Sequence, residues 1–145
     1  NLHDFKNVTL DEKEHKRIIK TRTAKEIKRM LVKTVTHGTG RTAQIAGIEV
    51  GGKTGTAQIA GGGKYLKKYI SSFFGFANDK NSKYTIGVTV INPNSKGKKW
   101  FYYYASHSAV PVFKEVVNNL IQLNYLEPKN WYSSIQVIYN LDNIF

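Results

Sequence analysis

Cysteine is absent from the 145-residue chain, which excludes disulfide scaffolds, thiolate metal sites and cysteine nucleophiles. No apolar run is long enough to cross a bilayer, and the N-terminus carries no secretory signal pattern. Acidic residues are scarce: 10 Asp+Glu stand against 22 Lys+Arg, a formal net charge of +12. An excess of that size points to nucleic acid, an anionic surface or an acidic substrate without choosing among them. What is present is ordinary for a globular domain, 41% hydrophobic residues plus 12 glycines, so wholesale disorder is excluded. The length suits one domain. The chain opens at Asn1 with no initiator Met, and the expectation is a piece of something longer.

The charged start offers Arg17-Ile18-Ile19-Lys20 as either a short edge strand or an extended connector. Thr23-Ala24-Lys25-Glu26 has the form of a capping box. Behind it Ile27, Met30, Leu31, Thr34 and Val35 share one helical face. Gly38 then suits the left-handed closing position, which predicts a helix from Ala24 to His37. Glycine is dense from Gly38 to Gly63, so that stretch is strand and loop. Tyr69–Ala77 and Tyr84–Ile91 have strand composition, and the polar run Asn78–Ser82 between them predicts an antiparallel hairpin. Asn92-Pro93-Asn94 stops the second strand. Lys96-Gly97-Lys98-Lys99 reads as a further turn, and Trp100–Tyr104 as an aromatic run of undecided type.

Ser108-Ala109-Val110-Pro111 opens a helix, with proline tolerated in the first turn. Phe113, Val116, Val117, Leu120 and Ile121 supply its apolar stripe, and it should end near Asn124. A strand is conceivable at Ile135–Tyr139. No internal repeat or low-complexity linker occurs, and the pattern is α+β.

The chemistry concentrates at Gly47-Ile48-Glu49-Val50-Gly51-Gly52-Lys53-Thr54-Gly55-Thr56. Gly47 through Thr54 fits the phosphate-binding string GxxxxGK[ST]. That string works only between a strand and a helix, where backbone N–H groups wrap a phosphate. Here Gly55 and Gly61-Gly62-Gly63 break any helix after Lys53, and no strand ending in Asp follows. The other reading makes Ile48–Ile59 a strand whose glycines leave its edge bare.

On that reading Lys53-Thr54-Gly55-Thr56 is the K-T-G motif of serine penicillin-binding proteins and β-lactamases. Val50–Gln58 resembles the KTGTA(Q) strand of high-molecular-weight penicillin-binding proteins. Met30–Gly40 resembles the helix and GTG turn before it, and Tyr69–Ala77 the next strand. Tyr84–Asn92 and Ala109–Glu115 resemble the last strand and the C-terminal helix. The landmarks come in the family's order over Leu31–Leu120, and Ser71-Ser72-Phe73 and Ala109–Phe113 look most like class B, division-type (FtsI-like) enzymes. The resemblance implies the C-terminal part of a transpeptidase fold of the penicillin-binding-protein and serine β-lactamase type, an antiparallel sheet flanked by helices. Residues 1–124 would belong to it, with 125–145 a tail of unknown role.

Such enzymes attack the D-Ala–D-Ala amide of a peptidoglycan stem peptide with a serine, and a second stem's amine resolves the acyl-enzyme. The resemblance gives Lys53 the positive potential for the substrate's terminal carboxylate, and Thr54 and Thr56 its hydroxyl donors. It makes the Thr56 backbone N–H an oxyanion-hole donor and Gly55 the bare position that lets the acyl group lie close. Strand alternation puts Lys53 and Gly55 on one face and the threonines on the other, so a twist or bulge at the glycines is expected to reconcile them. His37, at a helix end where a cation suits the dipole, and His107 are read as bystanders. Tyr102-Tyr103-Tyr104 is read as packing.

The nucleophile is missing. The only literal S-x-x-K, Ser95-Lys96-Gly97-Lys98, lies after the KTG strand in a glycine-containing turn, and S-x-N has no match. Nucleophile, S-x-N motif and membrane anchor are therefore expected upstream, with the 145 residues alone silent. The implied partners are stem peptides, β-lactams, the upstream part of the same domain, a membrane glycosyltransferase and other cell-wall synthesis proteins. No nucleic acid, metal or organic cofactor is implied. The implied location is the bacterial cytoplasmic membrane, with this domain on the periplasmic side. The rivals are a nucleotide- or nucleic-acid-binding basic domain and a non-catalytic homologue of the same fold.

Overall fold

Helix α1 spans Thr21–His37 in a computed structural model that describes residues 17–94 and 101–129. The turn expected at Lys96–Lys99 and the strand expected at Ile135–Tyr139 lie outside the described residues. Residues 17–20 form a connector and not a strand. The capping box is not used. The helix begins two residues before Thr23, with Lys20 at its cap and no side-chain cap bond. Arg17 Nη1 donates to Thr21 Oγ1 at 2.8 Å and Ala24 N–H to the Lys20 carbonyl at 3.0 Å. The backbone ladder thus runs before Thr23 could cap it, and Glu26 pairs with Arg29 at 3.0 Å instead.

At the other end Gly38 is extended (φ −112°, ψ −153°), not left-handed. It is glycine for lack of room: a Cβ there would lie 2.9 Å from the Thr34 carbonyl oxygen. That oxygen accepts the N–H groups of both Gly38 and Gly40, at 3.0 and 3.1 Å, which closes the helix without a left-handed residue. Of α1's apolar face, Val35 is buried while Ile27 and Met30 stay exposed.

A short 3-10 turn, Arg41–Ala43, leads to strand β1, Glu49–Gly61. Gly62 and Gly63 both have positive φ (60° and 75°), the conformation a tight hairpin turn demands. They return the chain as β2, Lys64–Asn78, which starts five residues before the expected Tyr69. The turn at Asp79–Ser82 then leads to β3, Lys83–Ile91. The sheet is antiparallel in the order β1-β2-β3. Helix α2, Ala109–Gln122, starts where expected and ends where Asn124 turns left-handed (φ 60°).

Residues paired across antiparallel strands share a face, so Val50, Thr54, Phe73, Ala77, Ile86 and Val88 all point one way. Phe73 is fully buried and meets Phe113 of α2 edge-on, ring centres 4.8 Å apart at 78°. Val110 and Val117 join them, while Val116, placed by spacing on the apolar stripe, stays exposed. A Cβ at Gly52 would sit 2.4 Å from the Phe73 ring, so the glycine leaves the slot the ring fills. A buried phenylalanine of this kind is worth about 3–5 kcal/mol by truncation. The opposite face meets α1, where Lys28 reaches Glu49 at 2.6 Å and Asn78 Nδ2 donates to the same carboxylate at 3.2 Å. Partial burial alone would raise the Glu49 pKa; the hydrogen bonds from Lys28 and Asn78, with the charges of Lys28 and Lys83, outweigh it and lower it.

Residues 125–129, grouped with the tail by sequence, fold back onto the domain. Leu126 is buried in the core. Glu127 N–H donates to Asp79 Oδ2 at 2.7 Å, and Lys129 N–H to the Gly47 carbonyl at 3.0 Å. Gly47 itself has φ +77°, and a Cβ there would lie 2.7 Å from the Lys129 nitrogen. Asp79 also accepts from the amides of Asn81 and Ser82, and these backbone donors, Glu127 foremost, hold its pKa below the usual value. A carboxylate depressed in the folded state stabilises above its unfolded pKa of about 4 and loses that contribution as pH falls through the lower folded value. Asp79→Asn should therefore flatten the acid limb of the stability curve, measured by urea unfolding at a series of pH values. An unchanged limb would remove Asp79 from the account.

Candidate active site

The outer edge of β1 carries no partner strand among the described residues, and the backbone phase on that edge follows from the far side of the sheet. Asn92 N–H donates to the Tyr69 carbonyl at 2.7 Å, so Tyr69 turns its backbone toward β3. Backbone polar groups alternate sides along a strand, so Ser71 and Phe73 do the same. Their partners on β1, Thr56 and Thr54, consequently turn N–H and C=O to the open edge. Lys53 agrees with this phase: its Nζ donates to the Thr54 carbonyl at 2.8 Å. The lysine thus reaches round the open edge from the opposite face.

Thr54 and Thr56 line a recess of about 280 Å³ with Thr39, Tyr104, Ala105 and Ser106. Thr54 Oγ1 lies 2.8 Å from Thr39 Oγ1, and Thr56 Oγ1 accepts the Ala105 N–H at 3.2 Å. Ala105 begins a 3-10 turn, Ala105–His107, tied to β2 by a hydrogen bond from Ser71 Oγ to the Tyr103 carbonyl. Tyr69 stacks on Tyr103 at 3.9 Å between ring centres, which holds the turn against the strand. The Tyr103 hydroxyl is raised in pKa, chiefly by its hydrogen bond with Tyr104.

Of the twist or bulge expected at the glycines, the bulge is absent. Pairing runs unbroken from Glu49 to Gln58, and the register shifts only between Gln58 and Ala60. Lysine and threonines are brought to one edge by the length of the lysine side chain. At Gly55 a Cβ would meet nothing within 4 Å, so packing inside this chain does not require glycine there. The phosphate-binding alternative is excluded, because the chain continues from Lys53 as strand to Gly61 where that alternative needs a helix to open.

Neither His37 nor His107 lines the recess. His37 Nδ1 lies 2.7 Å from Thr36 Oγ1 and His107 packs on Phe101. No group of three or more His, Cys, Asp or Glu suited to a metal occurs among the described residues. Sequence reasoning missed Thr39 as the hydroxyl partner of Thr54, and the wall formed by Tyr104, Ala105 and Ser106. Thr39 lies inside the GTG turn, and no local pattern marks its hydroxyl.

Residues 3–118 match the family model described as penicillin binding protein transpeptidase domain. The chain belongs to that family. It is 37% identical over 115 residues to the "Probable peptidoglycan D,D-transpeptidase PenA" of Neisseria flavescens, covering 78% of this chain and 28% of that protein. Stage V sporulation protein D of Bacillus subtilis is 46% identical over 79 residues, 54% of this chain and 12% of that protein. Among solved structures, the apo transpeptidase domain of penicillin-binding protein 3 from Burkholderia pseudomallei superposes with a TM-score of 0.65 at 32% identity. That match covers 79% of this chain and 34% of the solved one. The chain therefore spans well under half the length of these relatives, as a partial class B transpeptidase domain.

Thr39→Val removes the hydroxyl that fixes Thr54. Losing one such bond costs about 1 kcal/mol, so under the acyl-enzyme reading proposed below the substitution in the full-length protein should slow penicillin acylation about fivefold, with a fall in melting temperature of no more than a few degrees. An unchanged acylation rate would leave Thr39 no role at the site.

Proposed function

We propose that this chain is the substrate-edge portion of a peptidoglycan D,D-transpeptidase that cross-links stem peptides through a serine acyl-enzyme and is acylated by β-lactams. The observation that carries the reading is the open edge of β1, where a lysine, two threonines and the outward N–H of Thr56 converge. The substrate ends in a carboxylate, and Lys53 with the Thr54 and Thr56 hydroxyls supplies a cation and short donors for it. The scissile carbonyl then lies at the Thr56 N–H, and one such donor is worth on the order of 3 kcal/mol in the transition state. A bare Gly55 lets the peptide lie against the edge as an added strand.

The reaction needs a serine that these 145 residues do not supply in the required S-x-x-K setting. Its hydroxyl oxygen attacks the penultimate D-Ala carbonyl, the amide bond breaks, and the terminal D-Ala leaves as the protonated amine. An amine of a second stem then attacks the ester, forms the new amide and returns the serine. Lys53 acts here by its field, and no cofactor enters. The FtsI-named relatives support a division-type role, with the domain outside the cytoplasm on a membrane anchor. A glycosyltransferase of the membrane and other cell-wall synthesis proteins would be its partners. The contacts of residues 125–129 support a transpeptidase unit that continues past 124.

The test is labelling with a fluorescent penicillin. The full-length protein should label, Lys53→Ala should slow labelling roughly 100-fold, and the isolated 145 residues should stay dark. Labelling of the isolated chain, or a Lys53→Ala variant at the native rate, would sink the reading.

A further inference from the structure

We propose that the β1–β2 hairpin beyond Gln58 binds a carboxylate-bearing stretch of the donor peptide, the residues that precede its reacting end; this rests on the transpeptidase reading above. The hairpin projects from the sheet. Pairing of β2 with β3 stops at Ile70 and Ile91, whereas pairing of β1 with β2 continues to Gly61 and Lys64. The projecting ribbon carries Lys64, Lys67 and Lys68, all exposed, and no acidic residue occurs in sequence between Glu49 and Asp79. The ion pairs among the described residues, Lys28–Glu49 and Arg29–Glu26, both involve α1. Three cations on one ribbon thus stand without a counter-charge among the described residues.

The ribbon is also built to hold them. Where the register shifts, Leu66, Lys67 and Lys68 of β2 stand opposite Ile59 alone, a bulge that turns side chains away from the regular pleat. Gln58 Nε2 donates to the Leu66 carbonyl at 2.8 Å and pins that bulge. Beside it Tyr65 is 75% exposed, an uncovered aromatic face.

The direction of the bound peptide connects this ribbon to the site. With its terminal carboxylate at Lys53 and Thr54 and its scissile carbonyl at the Thr56 N–H, the rest of the peptide can only run on along β1 toward Gln58 and Gly61. At about 3.3 Å per residue, the edge from Thr56 to Gly61 is about 17 Å long. Residues a few positions before the reacting one therefore reach the projecting end of β1, with the lysines one strand over on β2, within reach of long side chains across the ribbon. Acidic groups there would find cations already in place, and a donor lacking them would not. A membrane surface could offer the same anionic chemistry, but the continuity of the ribbon with the substrate edge favours the peptide.

The experiment combines Lys64→Gln, Lys67→Gln and Lys68→Gln in the full-length protein and measures acylation by three donors. One is a D-Ala–D-Ala pentapeptide with free upstream carboxylates, the second its upstream-amidated form, the third a simple penicillin. The triple variant should slow the first about 5- to 10-fold and leave the other two within about twofold. High salt, about 0.5 M, should erase the first effect in the native protein by screening. Equal slowing of all three, or of none, overturns the proposal, as does unchanged peptide acylation with lost sedimentation on anionic vesicles. If the native protein is not acylated by the penicillin at all, the transpeptidase reading itself falls; slowing confined to the penicillin-competent enzyme's acidic donor supports both.

Discussion

Phe73 sits where three glycines have cleared space. Its ring lies within 2.4 Å of where a Gly52 Cβ would be and within 3.2 Å of those that Gly40 and Gly75 would carry. The ring closes against Phe113 of α2. Because those glycines come from the turn after α1, from β1 and from β2 itself, one side chain sets the position of three segments. It also faces Thr54 directly across the strands. A slip of one residue would turn every side chain on β1 to the other face, carrying the threonines out of their recess and the Thr56 amide off the open edge. The register that presents the site is thus held by apolar packing several ångströms behind it.

Charge is distributed along the sheet with the same economy. Glu49, Asp79 and Glu127 gather where β1 begins and β2 turns into β3, and their oxygens or amides tie α1, the turn and the C-terminal segment together. Among the described residues, the other end has lysines and no acids. One end therefore uses its charge internally, in hydrogen bonds that outweigh partial burial at Glu49, while the other leaves its charge turned outward. The net charge of +12 says nothing of this separation, which depends on which turn each residue falls in.

The alternation of Thr85, Gly87 and Thr89 with Ile86, Val88 and Val90 was legible as a strand because one face is buried, and the KTG strand was legible through its motif. The capping box at Thr23 misled because a helix start is decided by the ladder, and Arg17 and Thr21 began it earlier. Gly38 misled for a different reason: glycine serves equally for positive φ and for close approach, and the sequence does not distinguish them. Gly62 and Gly63 read from sequence as helix breakers within a strand-and-loop stretch, without a turn type, so the long β1–β2 hairpin they create went unseen. At the site, Lys53, Thr54 and Thr56 were identified by resemblance, but Thr39 and the Ala105 amide are brought to them by packing between distant segments. Contacts of that kind have no local signature.

The clamp of Lys129 on Gly47, together with that of Glu127 on Asp79, has a bearing on how the domain assembles. Both bonds join the chain's late residues to the end of the sheet remote from the recess, across long sequence separations. While the chain is being made, β1 and β2 can pair through their local turn, but the entry to β1 stays unfastened until Lys129 emerges. Loops of that length close slowly. The edge that would receive a substrate strand is thus open to stray pairing while the entry to β1 is still unfastened.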